Sequence, residues 1–237
     1  QPVYTAQPVD QAKQEEQGVD AVQQGVIASD PPIADPAADA IPLAVHYDTV
    51  LTQTQLDHWL ARLVQAEVFS FDTETTSLDY MQAEIVGVSF AVQLGEAAYV
   101  PLAHDYPGAP DQLARDAVLA QLKPLLEDAT RLKLGQNLKY DMSVLANYGI
   151  TLAGIRYDTM LESYVLNSTA TRHDMDTLAL MHLGYKTVHF ADIAGKGARQ
   201  ITFNQIALEQ AAPYACEDAD ITLRLHHAFW PRLSAEP

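Results

Sequence analysis

The chain has 237 residues and a formal net charge of -17, from 14 Lys+Arg against 31 Asp+Glu, with 48% hydrophobic residues and one cysteine. These proportions describe a globular protein of one good-sized domain or two small ones, and a single Cys excludes a disulfide framework or a Cys-based zinc site within the chain. No run of 18 apolar residues occurs, so no membrane span is expected, and the acidity argues at long range against phosphate-bearing partners.

Residues 1–45 hold 6 of the 13 prolines, 7 glutamines, 7 acids and one Lys, a net -6. Low hydrophobicity with net charge is the composition of disorder, so this stretch is expected to be a flexible linker or tail, with a docked extended arm as the alternative. The start lacks the basic-then-apolar pattern of a signal peptide and opens on Gln, which leads to the expectation of a fragment of a cytosolic protein.

Regular patterning begins near residue 46. His46 to Val50 reads as a short strand, then Thr54 to Ala66 as a helix with Leu56, Trp59, Leu60 and Leu63 as its apolar stripe. Strands follow at Val68–Thr73, Glu84–Val92 and Ala97–Leu102. Asp111 to Leu126 has a helical period with Asp111 as its cap, Arg131–Leu134 reads as a short buried strand, and Asn137–Tyr148 as a helix closed by Gly149. Further helical patterns cover Asp158–Leu166, Asp174–Leu183, Asn204–Ala211 and Pro213–Trp230, the last with Pro213 in a first turn. This order predicts an α/β domain over 46–237, with a mixed, partly antiparallel sheet and helices on both faces.

Three short stretches do not fit an ordinary surface. In Phe69-Ser70-Phe71-Asp72-Thr73-Glu74-Thr75 an apolar strand runs into two acids placed two apart, which alternation sends to one face. Adjacent like charges at a desolvated strand end disfavour each other, although a turn-capping Asp beside an exposed Glu remains the plainer reading of these residues alone. Gly135-Gln136-Asn137-Leu138-Lys139-Tyr140-Asp141 opens a helix with Asn137 as N-cap and Asp141 one turn on, which simple helix-start chemistry also explains. Tyr214 and Asp218 share a helical face that continues through Ile221, Thr222 and Leu225, so it points inward, where an Asp needs a partner or a metal. Asp72, Glu74, Asp141 and Asp218 together would form an all-oxygen cluster suited to hard divalent cations, Mg²⁺ or Mn²⁺, including a closely spaced pair. Gly195-Lys196-Gly197 lacks the full spacing of a phosphate loop and reads as a turn. Cys216, Trp59 and Trp230 read as packing residues and His226-His227 as surface.

In order, Phe-Asp-Thr-Glu-Thr, Gly-Gln-Asn-Leu-Lys-Tyr-Asp and Tyr-Ala-Cys-Glu-Asp-Ala-Asp closely resemble the 3′–5′ exonuclease (proofreading) domains of bacterial family A DNA polymerases. The likeness runs over about residues 48–235 and includes Asp158-Thr159-Met160-Leu161-Glu162-Ser163-Tyr164, Arg172-His173-Asp174-Met175-Asp176 and Thr202-Phe203-Asn204-Gln205-Ile206. The resemblance implies a ribonuclease H-like fold and the subclass in which Tyr accompanies the fourth acid. It implies two Mg²⁺ (or Mn²⁺) ions, one held by Asp72, Glu74 and Asp218, the other bridged by Asp72 and helped by Asp141. Tyr214 would then orient the attacking water, Leu78 would wedge the terminal bases and Phe190 would stack on the 3′ end. Gln136, Asn137, Tyr140 and Arg172 would contact the strand. Met142, Ala191 and Ala198 depart from the family pattern near those contacts.

The implied substrate is the 3′ end of single-stranded or frayed DNA, and the implied partner is a polymerase region in the same parent chain. No DNA synthesis is expected from this stretch itself. A monomer in the bacterial cytoplasm, associated with the nucleoid, is expected. An inactive DNA-binding module and an RNA-trimming exonuclease of the same superfamily are the alternatives. The charge divides accordingly: the tail carries -6, four acids belong to the proposed metal cluster, and residues 131–200 hold 8 Lys+Arg against 6 acids. Acidity therefore does not exclude DNA, but weak duplex binding by this chain is expected at ~0.15 M salt.

Overall fold

The computed structural model describes residues 45–169 and 172–235. Apart from Val45, the expected tail lies outside the described residues. Six strands, β1 (His46–Thr49), β2 (Val68–Thr75), β3 (Ile85–Gln93), β4 (Glu96–Pro101), β5 (Leu132–Gly135) and β6 (Ile155–Asp158), form one sheet in the order β1-β4-β3-β2-β5-β6. β2, β3 and β4 pair antiparallel, whereas β1–β4, β2–β5 and β5–β6 pair parallel, giving the expected mixed sheet. The helices are α1 (Gln53–Gln65), α2 (Arg115–Leu126), α3 (Leu138–Ala146), α4 (Thr159–Leu166), α5 (Met175–Leu183), α6 (Phe190–Ala194) and α7 (Leu208–Ala235).

Strand alternation sorts the core into two layers. Phe69 and Phe71 pack with Leu56, Trp59 and Leu63 of α1, Leu122 of α2 and Leu138 and Val144 of α3. Val86, Ala91, Tyr99 and the small residues Ala211, Ala215 and Ala219 of α7 fill the opposite face. Ala at successive turns lets α7 lie close across β3 and β4, and this brings its carboxylates to the sheet. Gly87 serves the same layer: a Cβ there would lie 2.2 Å from the Tyr99 hydroxyl, so glycine lets that ring cross the strand.

Several boundaries differ from the expectations. α1 is capped by Thr52, whose side chain accepts from Gln55 N while Gln55 reaches back, a capping box that starts the helix at Gln53, one residue ahead of the predicted Thr54. Asp111 does not cap α2: the helix starts at Arg115 after Ala114, which offers no side-chain bond. The Gln112 amide is held on both His104 N and His104 O at 2.8 Å, which ties down the residue next to Asp111 ahead of the helix. α3 proper stops at Ala146, and tighter turns carry the chain to Gly149 at φ 68°. The two expected C-terminal helices are one from Leu208 onward, while Phe203–Gln205 form a separate 3₁₀ turn. Leu208 to Ala212 wind ahead of Pro213, which sits inside α7 rather than in a first turn. His226 is buried, not on the surface: its Nδ1 lies 2.7 Å from Glu162 Oε1, while His227 is exposed. No helix among the described residues is long and apolar enough to cross a membrane.

Candidate active site

β2 delivers Asp72 and Glu74 toward α7, and α7 meets them with Asp218. A carboxylate oxygen from each of the three can be chosen so that all lie within 4.8 Å of one another. Glu74 Oε1 is buried and has no hydrogen-bond partner. Asp141 arrives by another route. Pairing of β2 with β5 ends at Ser70–Leu134, so the next free edge of β2 faces the start of α3. There Asp141 Oδ1 accepts from Thr73 N at 3.0 Å and from Thr73 Oγ1 at 2.6 Å. Asp141 thus flanks the tight triad and is anchored by the residue between the other two strand acids. Thr73 is a supporting residue that sequence reading passed over, although its place between two acids was visible.

The Asn137 side chain does not cap α3. Asn137 is the non-glycine residue with positive φ (63°) among the described residues, and the Asp158 carboxylate accepts from Asn137 N at 3.1 Å and Leu138 N at 2.9 Å. The same Asp158 caps α4 through Met160 N and Leu161 N, so one acid sets the entry of two helices. The αL turn and this cap aim α3 so that Asp141 reaches β2.

The electrostatics of the acids are set first by burial. Burial pushes the Asp72 carboxyl up to about 6. Burial, then Asp72, Asp218 and Asp141, push Glu74 well above the usual range. Asp218 is raised by burial and then by Asp72 and Glu217, and Asp141 by burial and Asp72 against the lowering hydrogen bonds of Thr73. The Tyr214 phenol is also pushed well up, by burial and then by Asp218, Glu74 and Asp72. Several carboxylates kept together at this cost, one oxygen of them wholly unpartnered, fit a site completed by positive charge. Their donors are all oxygen, which matches a hard divalent cation.

Aromatic residues close one side. Phe190 lies parallel to Phe203 (ring centroids 6.4 Å apart, 12° between planes), and both rings sit about an edge contact from Tyr214, at 6.3 and 6.0 Å. Phe203 is a wall of the site that sequence reading did not single out. On the other side Leu78 is 94% exposed on the turn after β2. Tyr140 secures that turn, with its hydroxyl 2.5 Å from Thr75 Oγ1 and donating to Ser77 O. The remaining predicted strand contacts are less gathered. Gln136 donates to His173 O at 2.9 Å and accepts from Thr159 Oγ1. Arg172 is exposed and forms an ion pair with Asp174 at 3.3 Å. Gly195 and Gly197 have φ of 81° and 64° and shape a turn after α6, as expected.

A 3′–5′ exonuclease family model matches residues 47–234. The chain is 64% identical over 203 residues to DNA polymerase I of Pseudomonas aeruginosa, covering 85% of this chain and 22% of that protein. It is 43% identical over 206 residues to DNA polymerase I of Rhizobium leguminosarum, covering 80% of the chain and 20% of that protein. The chain thus spans about a fifth of the length of these relatives. Its fold is similar to that of Trypanosoma brucei RNase D, with a TM-score of 0.62 at 18% identity over 77% of this chain and 64% of the other. The α/β architecture, with its mixed six-stranded sheet between helices, is ribonuclease H-like.

Proposed function

The chain belongs to the 3′–5′ exonuclease family present in bacterial DNA polymerase I, and we propose that it hydrolyses the terminal phosphodiester of single-stranded or frayed DNA 3′ ends with two divalent metal ions. The observation that carries this reading is the triad Asp72, Glu74 and Asp218, drawn within 4.8 Å and left with an unpartnered buried Glu74 oxygen. Asp72, Glu74 and Asp218 would hold one ion, and Asp72 with Asp141 the second, Mg²⁺ or Mn²⁺ in kind. Bound there, such a pair supplies Lewis-acid stabilisation of the charge on attacking and leaving oxygens.

The protein's own groups do the positioning. Burial and the neighbouring carboxylates hold the Tyr214 phenol in its neutral form in the metal-free site, and a neutral hydroxyl suits orienting a water better than taking its proton. Phe190, backed by Phe203, offers a stacking surface for a terminal base, worth roughly 1–3 kcal/mol and indifferent to sequence. Leu78 projects from a turn that Tyr140 braces, the geometry of a wedge that separates the last base from its neighbour. Gln136, Asn137 and Arg172 are proposed as weaker strand contacts, and the polymerase region of a longer parent chain as the partner that delivers frayed ends.

The test is digestion of a 3′-labelled single-stranded oligonucleotide. Mononucleotides should appear with Mg²⁺ or Mn²⁺ and cease with EDTA. DNA binding without release would leave an inactive binding module, and faster cleavage of a matched RNA would transfer the reading to RNA trimming.

A further inference from the structure

Phe190 sits on the five-residue helix α6, too short to fix its own direction, and residues 184–189 before it have no regular secondary structure. What secures that segment is polar. Glu217, buried on α7 one residue before Asp218, accepts from the Tyr185 hydroxyl at 2.7 Å and from Val188 N at 2.7 Å, using both carboxylate oxygens. Asp176, in the first turn of α5, does the same from the other side. Its Oδ1 accepts from Thr187 Oγ1 at 2.6 Å and its Oδ2 lies 2.6 Å from His189 Nδ1. Four of the five residues immediately preceding Phe190 are therefore tied to two acids on two different helices.

The alternatives for these acids are weaker. Neither belongs to the group that could hold a metal among the described residues, and both have their oxygens filled by loop donors. A buried acid that accepts from a backbone N–H and a hydroxyl is an anchor, since leaving those donors unpaired would cost about 1–3 kcal/mol each. The helix that presents Glu217 also presents Tyr214 and Asp218, so the anchor fixes the Phe190 ring relative to the triad itself.

We propose that Glu217 and Asp176 are positioning residues that hold segment 185–189, and through it the Phe190 ring, where the 3′-terminal base stacks. This rests on the exonuclease reading for what Phe190 touches, but the anchor itself can be measured without turnover. In Glu217→Ala, amide exchange across residues 185–194 should quicken about tenfold or more while the sheet keeps its protection. On a single-stranded oligonucleotide, KM should rise about five- to tenfold with kcat within about twofold, the size of a weakened stacking contact. Glu217→Ala combined with Phe190→Ala should be no worse than Phe190→Ala alone, a non-additivity that general destabilisation would not produce.

Unchanged exchange and KM in Glu217→Ala, or additive losses in the double variant, overturn the proposal. If Glu217→Ala does not fold, Tyr185→Phe and Thr187→Val each remove one tie from the loop side. Each should raise KM about two- to threefold, and two silent variants overturn the proposal equally. Faster exchange at 185–194 in a protein whose unaltered form releases no nucleotide supports the anchor and sinks the exonuclease reading instead.

Discussion

Asp218 and Asp220 lie two residues apart on the same helix and meet opposite surroundings. Asp220 is fully buried and accepts from Tyr47 Oη at 2.9 Å, Gly95 N at 2.8 Å and Arg224 Nε at 3.0 Å. Asp218 faces Asp72 and Glu74, and no cation among the described side chains is paired with that triad in the ion pairs found. Farther along α7, His226 meets Glu162 of α4 through one carboxylate oxygen, Oε1, at 2.7 Å. One helix thus carries Asp220, with three donors from the fold, and Asp218, which has a hydrogen bond from Tyr214 but otherwise faces acids. The first kind holds the protein together. The second opposes folding and is retained for what it binds.

Substitutions should separate the two kinds. Asp218→Ala, or Asp72→Ala, should reduce nucleotide release by about a thousandfold or more, since a metal site supplies several kcal/mol of transition-state stabilisation. The same variants should melt no lower than the parent in EDTA. Residual digestion within tenfold of the parent would erase the distinction. Asp220→Ala should do the reverse. Arg224, Tyr47 and Gly95 lose their shared acceptor, at about 3 kcal/mol, so Tm should fall by roughly 6–12 °C with the rate per folded molecule unchanged. Calorimetry and the labelled-end assay on one preparation check both halves.

Tyr214→Phe sharpens the contrast within the site. It removes the hydroxyl that would steer the water and keeps the ring against Phe190 and Phe203. A positioning hydroxyl predicts a kcat loss of about 10- to 100-fold with KM little changed. A loss as large as that of Asp218→Ala would mean the phenol does more than orient.

How much of this was legible follows from what each feature depends on. Asp72 and Glu74 were readable because strand alternation needs only the local chain, and Tyr214 and Asp218 because helical spacing does too. The family likeness joined them. What stayed hidden depended on partners distant in sequence. Asn137 looked like a cap, yet Asp158, 21 residues on, supplies the acceptor and leaves Asn137 in the αL region. His226 looked like surface until Glu162 on α4 claimed it. β6 has four residues and an edge position with little apolar signal. Gly154, which enters the strand at φ 69° with room for no Cβ beside Arg131 O (2.2 Å), shows in the sequence as a glycine and no more. Glu217 and Asp176 were hidden for the same reason: nothing in Tyr185-Lys186-Thr187-Val188-His189 announces two carboxylates on other helices.

The subtlest consequence is a pH dependence of the metal-free protein. Asp72 has its folded value pushed up to about 6 from an ordinary 3.8, so the folded state holds its proton more tightly than the unfolded chain. Its stabilising contribution is therefore complete below about pH 4 and is lost as pH rises through about 6. Glu74, Asp141 and Asp218 shift in the same direction and extend that loss to higher pH. In EDTA, Asp72→Asn should gain a few degrees in Tm over the parent between about pH 4 and pH 7, the gain growing with pH. Mg²⁺ should raise the parent's Tm at pH 7.5 and raise it much less near pH 4.5, because the upward shifts of the three acids make protons compete with the ion for their oxygens. Asp220, whose partners are built into the fold, supplies the control: its triad of donors gives Mg²⁺ nothing to complete, so Asp220→Ala should keep the full pH-dependent Mg²⁺ response on a lower baseline. A Mg²⁺ shift of equal size at both pH values would show that the ion binds somewhere other than the unpaired acids.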